Sequence, residues 1–475
     1  GACSEGTYIA SGAQAEAAGD LQVSYHAGLV SAREEKALGV NVNFDPCVDI
    51  LYNWRNTIVN TRAYGTDAET VIKYTNAYLD GLTAENGENM EDGVIQCIKH
   101  FPGDGTEERD QHLVLGVNAL SPEEWRASFG KVYQNHIDRG VEMIMAGHIA
   151  VPALQKELNP ALEDKDIMPA TLAEELIQDA LKTELGFNGL VITDATHMLG
   201  MTSAMRREDY VPKSIAAGCD MFLFFNNIEE DFGFMLKGYQ NGVITEERLT
   251  DALRRILGLK AKLHLPEKQA NGTLLRTRED LNVIGCEEHL QWRAEAADKG
   301  ISLIKDTQNN LPINPVDHKR IRLYMLEGEK GGITDNGSKA QQLFVDELTK
   351  RGYEVTVNER GSRVKGATLK YRDEVDFALE VADIAGYGAQ NNYRIQWSTA
   401  MANEVPWFVW EVPHAFVSLN FTTHLHDATM VKTFVNAYHN NEETIKQVID
   451  KLEGKSEFKG GHNDLVWTDK WQAKL

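Results

Sequence analysis

The chain has 475 residues, of which 42% are hydrophobic and 25% charged, and a formal net charge of −23. This length exceeds one ordinary hydrophobic core, so two or more globular domains are expected. The acidity argues against nucleic acid as a partner, and no apolar run approaches the roughly 18 residues of a membrane span. Five cysteines, Cys3, Cys47, Cys97, Cys219 and Cys286, are scattered and odd in number. Without a CxxC pair, zinc spacing or a signal peptide, they point to reduced thiols and a cytoplasmic setting.

In chain order, 14–38 predicts one amphipathic helix with Val23, Ala27 and Val30 on a face, ending at Gly39. The alternating segment 40–44 predicts a short strand closed by Asp45-Pro46. A helix over 67–82 precedes an apolar strand at 94–98, and a helix over 122–139 precedes a strand at 141–146. A helix over 172–185 leads to a strand at 189–194, then a strand at 221–225 and a helix over 246–263. Strands alternating with helices predict parallel βαβ units. The expectation is an α/β protein with a (β/α)8 TIM-type barrel over 1–265. A complete barrel needs about 250 residues and eight strands, so the first strand or two are expected upstream of Gly1. Residues 266–290 are polar and read as a linker. Residues 291–475 read as a second α/β domain, with helices at 287–300, 340–351 and 442–452. Its strands are expected at 301–304, 321–325, 353–357, 384–388 and 416–420.

The chemistry concentrates where strands end. Lys99-His100-Phe101-Pro102-Gly103-Asp104-Gly105 closes an apolar strand and is followed by Asp110-Gln111-His112. Polar groups at the end of a buried strand need partners, and the C-terminal ends of barrel strands are where sites form. Asp194 ends another apolar strand, and reads either as a carboxylate facing that mouth or as the cap of the next helix. Asp110 can orient the His112 ring and favour its protonated form, or both can belong to a solvated charged loop. Lys99, His100 and Arg62 can donate to substrate hydroxyls or pair with acids such as Asp49. His148 reads as a lining residue or as a satisfied structural histidine. Taken together, a carboxylate facing a separate proton donor is the arrangement of a retaining glycosidase. The His and Asp spacing disfavours a metal site, no phosphate-loop fingerprint occurs, and no cofactor is implied.

These residues resemble the signature of glycoside hydrolase family 3. More narrowly, they resemble its bacterial β-N-acetylglucosaminidase branch, K-H-F-P-G-H-G-x-T-x-x-D-S-H, whose acid/base is the histidine of an Asp–His dyad. Val191-Ile192-Thr193-Asp194 with Met198, Asn43 to Asp49, Arg62-Ala63-Tyr64-Gly65 and Met145 to Ile149 resemble further segments of the family. Ile301 to Lys305 through Leu311-Pro312 resembles the start of its C-terminal α/β sandwich. The resemblance implies Asp194 as nucleophile, His112 as acid/base and Asp110 as its partner. It also implies Lys99, His100, Arg62, His148 and Met198 as substrate-binding residues. The implied substrate is a β-linked N-acetylglucosaminide or β-glucoside, with inorganic phosphate as an alternative acceptor and an inactive carbohydrate-binding homologue as the rival reading. Asp104, Gln111 and Ala195 depart from the family pattern.

Overall fold

The computed structural model describes residues 5–87, 90, 93–328, 339–364, 366–384, 394–467 and 471–475. The chain divides into two compact units, one built on Ser24–Leu290 with 5–9, the other on Gln291–Leu475 with Ala10–Val23. Among the described residues, no helix is long and apolar enough to cross a membrane.

The first unit is α/β. Strands β1 (Val42–Asn43), β2 (Ile95–Phe101), β4 (Met143–Ala146) and β6 (Leu190–Thr193) form a parallel sheet in that order, and β3 (Gly116–Val117) pairs with β5 (Ile149–Ala150) beside it. Strands β4 and β6 are buried on both faces, which is why the sequence reads there as apolar runs instead of alternation. Ile95, Cys97, Met143, Met145, Leu190 and Ile192 pack together on one face. Among the described residues this sheet is open. The expected strand at 221–225 is reduced to one bridge between Met221 and Ile192. Main-chain and side-chain bonds from β6 and its loop both hold that segment: Thr193 N donates to Met221 O and Thr196 N to Leu223 O (3.1 Å each), while Leu223 N donates to Thr193 Oγ1 (2.9 Å) and Thr196 Oγ1 to Phe224 O (2.5 Å).

The helix expected over 14–38 is two helices, Gly12–Ala18 and Leu21–Ala37. Gly19 caps the first in the left-handed region (φ 65°), a conformation that ends a helix and that glycine adopts without a Cβ clash. Residues 266–290, expected as a linker, carry the end of the helix Leu265–Asn271 and a 3-10 turn, Glu279–Val283.

The second unit has a six-stranded sheet. Its strands are β7 (Ser302–Asp306), β8 (Arg320–Glu327), β9 (Glu354–Val357), β10 (Phe377–Asp383), β11 (His414–Ser418) and β12 (Thr433–Asn436), ordered β7-β12-β11-β10-β8-β9, with β7 antiparallel. One face, including Leu323, Leu379 and Val417, buries against Phe344 and Leu348 of one helix and Ile445 and Val448 of another. The other face carries Leu326, Ala382, Phe416 and Phe434. The strand expected at 384–388 is β10, several residues earlier; 385–388 lie outside the described residues.

Candidate active site

All the candidate residues lie in the first unit, most of them in strand ends and the loops after them. Strand β2 runs into the turn Pro102-Gly103-Asp104-Gly105. Gly103 (φ 120°) and Gly105 (φ 110°) occupy backbone conformations that side chains rarely adopt. A Cβ on Gly105 would also lie 2.0 Å from Ile50 O, and one on Gly103 2.1 Å from the Phe129 ring. The Trp125 indole N–H fastens the turn by donating to Pro102 O (2.9 Å). Glycine is therefore a steric requirement here, and it fixes where the 106–112 loop departs.

Two Asp–His pairs stand on this frame. Asp110 Oδ1 accepts from His112 N (2.9 Å) and from His112 Nδ1 (2.6 Å), so the carboxylate both closes the turn and orients the ring. Asp110 is fully buried, whereas the His112 side chain is 35% exposed. Burial works against the His112 imidazolium, but the hydrogen bond and charge of Asp110, together with the charge of Asp194, raise its pKa above the ordinary value. With Nδ1 committed to Asp110, Nε2 is the nitrogen left for a reacting group.

The second pair is the pairing of His100 with Asp49 that the sequence left open as an alternative to sugar binding. His100 Nδ1 donates to Asp49 Oδ2 (2.7 Å), and Arg62 Nη2 donates to His100 Nε2 (3.4 Å). Asp49 also accepts from His100 N (3.2 Å), Asp104 N (2.8 Å) and the Cys47 thiol (2.9 Å). Burial opposes ionisation of Asp49, yet His100 and these donors hold its carboxyl below the usual range. Asp49 follows a short strand end just as Asp194 does, which is the signal that could have marked it.

Asp194 N donates to Ala146 O (2.8 Å), continuing the β4–β6 ladder, and Ala195 N donates to Asp194 Oδ1 (2.7 Å). Its Oδ2 lies 4.0 Å from His100 Nε2. Asp194 is 9% exposed. Burial would push this carboxyl up, but the neighbouring His100 and His148 rings, the Ala195 N–H and the Lys99 ammonium outweigh it and hold the group below the ordinary carboxylate value. Lys99 Nζ lies 3.8 Å from Asp45. Asp194, His112, His100, Arg62 and Lys99 thus share one electrostatic environment.

His148 and Met198 are placed differently. His148 is fully buried and both its nitrogens are used: Thr171 Oγ1 lies 2.9 Å from Nδ1 and Ala195 O 2.9 Å from Nε2. A carbonyl can only accept, so Nε2 carries the proton and Nδ1 accepts from Thr171. Burial, the largest effect, lowers its pKa. The ring is therefore a neutral strut between the Thr171 segment and the loop after β6. Met198 is 3% exposed and starts the short helix Leu199–Thr202.

Cys47, Asp49 and His100 place one potential metal-ligand atom each within 4.8 Å of the others. Burial raises the Cys47 thiol well above its usual value, so it stays protonated and donates to Asp49. These contacts form one buried hydrogen-bond network.

Comparison with known proteins fits this geometry. Residues 3–259 match the family described as Glycosyl hydrolase family 3 N terminal domain. The chain is 39% identical over 476 residues to a β-N-acetylglucosaminidase/β-glucosidase of Cellulomonas fimi, covering 99% of this chain and 82% of that one. It is 32% identical over 198 residues to a β-hexosaminidase of Stenotrophomonas maltophilia (strain R551-3), covering 42% of this chain and 53% of that protein. Among solved structures, the β-glucoside phosphorylase BglX superposes with a TM-score of 0.92 at 38% identity, over 99% of this chain and 82% of that one. A family 3 β-N-acetylglucosaminidase from Paenibacillus sp. str. FPU-7 gives a TM-score of 0.75 at 22% identity, over 96% and 84%, a likeness of fold alone.

Proposed function

Because the chain belongs to glycoside hydrolase family 3, we propose that it is a retaining, exo-acting β-glycosidase that removes terminal β-linked N-acetylglucosamine or glucose. The observation that carries this reading is the opposed protonation of two groups in one environment. The Asp194 carboxyl is held below its ordinary pKa and the His112 imidazole above its own, each by its surroundings and the imidazole partly by Asp194 itself. Such a split assigns a nucleophile and an acid. The parallel strands are read as part of a (β/α)8-type barrel and the second unit as the α/β sandwich. What supports the barrel is the gathering of these groups at the strands' C-terminal ends.

In this mechanism the Asp194 carboxylate attacks the anomeric carbon while His112 Nε2–H protonates the departing glycosidic oxygen, giving a covalent glycosyl-enzyme. The imidazole, now neutral, then takes the proton of an incoming acceptor, whose oxygen displaces Asp194 from the same carbon and restores the β configuration. Asp110 keeps Nδ1 protonated throughout. Lys99, His100 and Arg62 face the sugar hydroxyls.

A second reading concerns the acceptor. A carboxylate acid/base would be anionic at the second step and repel phosphate, whereas a spent histidine is neutral. The likeness to a structure named a β-glucoside phosphorylase favours phosphate as an acceptor alongside water. Product analysis on aryl β-N-acetylglucosaminide and β-glucoside, with and without phosphate, tests both readings. Free sugar or sugar 1-phosphate from the parent and neither from Asp194→Ala is expected. No turnover of either substrate by the parent would favour the carbohydrate-binding rival.

A further inference from the structure

We propose that Gln111 is a positioning residue of this site: its side-chain carbonyl ties the segment that carries His112 to the turn after β4, and so sets where the proton meets the departing glycosidic oxygen. The inference rests on the reading of His112 as the proton donor. Gln111 is 1% exposed, although it stands in a charged loop beside the partly exposed His112. Its Oε1 accepts from His148 N at 2.6 Å, and its main-chain O accepts from Gly200 N at 3.0 Å. The His148 ring continues the path, because Nε2 donates to Ala195 O (2.9 Å) and Ala195 N donates to Asp194 Oδ1 (2.7 Å). A closed circuit results. It runs from Asp194 through Ala195, His148 and Gln111 to His112, and returns through the bond from Leu199 N to His112 O (3.0 Å).

The side chain adds a constraint that the main chain alone lacks. The bonds from Leu199 N and Gly200 N end on adjacent residues, so they hold the two loops together but resist tilting about the line between them poorly. Gln111 Oε1 is bonded to a different segment, and a third contact of this kind removes the tilt. Tilting would swing the His112 ring, whose Nδ1 bond to Asp110 (2.6 Å) lies within the same loop and moves with it. The surroundings leave room for the side chain. A Cβ on Gly147 would lie 3.2 Å from Gln111 Oε1, and one on Gly200 2.8 Å from Gln111 O. Neither glycine has a positive φ, so what these two positions supply is space. Loss of the Gln111 acceptor would leave the buried His148 N–H without its partner, which is unfavourable. Proton transfer is sensitive to such a shift, since the donor must come within hydrogen-bond reach of the atom it protonates.

The test compares kcat/KM on a phenyl and a dinitrophenyl β-glycoside, at one mildly acidic pH, for the parent, Gln111→Met, Gln111→Glu and His112→Ala. Phenolate is a poor leaving group and needs the proton of His112, whereas dinitrophenolate departs as an anion without it. Methionine keeps the length of the side chain and removes the acceptor. Gln111→Met should lose about 10²-fold on the phenyl glycoside and no more than about threefold on the dinitrophenyl one, a pattern that His112→Ala shows more steeply. Gln111→Glu keeps an oxygen for His148 N and should recover about tenfold of the loss on the phenyl glycoside. Should Gln111→Met fail to fold, Gln111→Asn, which draws the amide back by one methylene, is expected to show the same pattern. Equal losses on both substrates in the Gln111 variant, or no loss on either, would overturn the proposal while His112→Ala keeps its leaving-group dependence. A loss in His112→Ala that is equal on the two glycosides, or a parent inactive on both, would overturn the proton-donor reading and the proposal with it.

Discussion

Leu199 N donates to His112 O at 3.0 Å, and the adjacent Gly200 N donates to Gln111 O at the same distance. The loop that carries the imidazole is thus bonded main chain to main chain to the loop that follows Asp194. These main-chain bonds set the spacing of the two loops, and the Asp110 carboxylate sets the ring upon it. Gly200 permits this contact, since a Cβ there would lie 2.8 Å from both Gln111 O and His148 Cβ.

Gly200→Ala should therefore force the two loops apart. Overpacking of this kind costs about 1–3 kcal/mol, and a displacement of about 1 Å between reacting groups can cost about 10²-fold in rate. The expected outcome is a folded variant with kcat reduced by about 10²-fold on an aryl β-glycoside. Unchanged kcat would show that the contact does not position His112.

Asp110→Asn removes the charge that, with its hydrogen bond, raises the His112 pKa. The imidazolium is the form present below that pKa, so the parent should lose kcat/KM on the alkaline side, at a higher pH than an ordinary imidazole would give. In the variant this limb should move to lower pH, and the rate should fall by about 10²-fold or more as the acid is misoriented. A pH–rate profile of each protein measures both effects.

Thr171→Val deletes the hydroxyl that donates to His148 Nδ1 and leaves that nitrogen buried without a partner. Such a loss costs about 1–3 kcal/mol. Urea denaturation should register it, while KM should change less than twofold if His148 is a strut and not a sugar ligand. A large rise in KM with unchanged stability would return His148 to the binding residues.

Asp49→Asn breaks a buried pair and misplaces four donors, for an expected loss of about 3–5 kcal/mol. The folded-state pKa of Asp49 is depressed. Its stabilisation is therefore present above the unfolded value of about 4 and is lost as pH falls through the folded one. The variant should accordingly be less stable than the parent at neutral pH, with the gap narrowing in acid. A gap that widens in acid would contradict this assignment.

Much of the scaffold was legible because buried parallel strands are continuous apolar runs and because chemistry at their ends interrupts those runs. Lys99, His100 and Asp194 stand out in sequence for that reason, as do the helices Glu246–Lys262 and Glu442–Leu452. What was not legible depends on partners distant in sequence. Which of its alternative partners His100 takes was open because Asp49 lies 51 residues away, Asn56 meets Asp104 from 48, and His148 donates to a carbonyl 47 residues on. Asp104 was visible only as a departure from a motif; its burial between carboxylates is a tertiary fact. The single helix expected over 14–38 failed at Gly19, where apolar periodicity continues across a residue whose backbone conformation ends the helix.

The account turns on Asp194 as the atom donor to a covalent intermediate. Incubation with a slow 2-fluoro β-glycoside, followed by proteolysis and mass spectrometry of the peptides, tests it most directly. The predicted result is one glycosylated peptide, modified at Asp194, in the parent and none in Asp194→Ala. Modification of another residue, or release of the aglycone with no adduct in the parent, would contradict it.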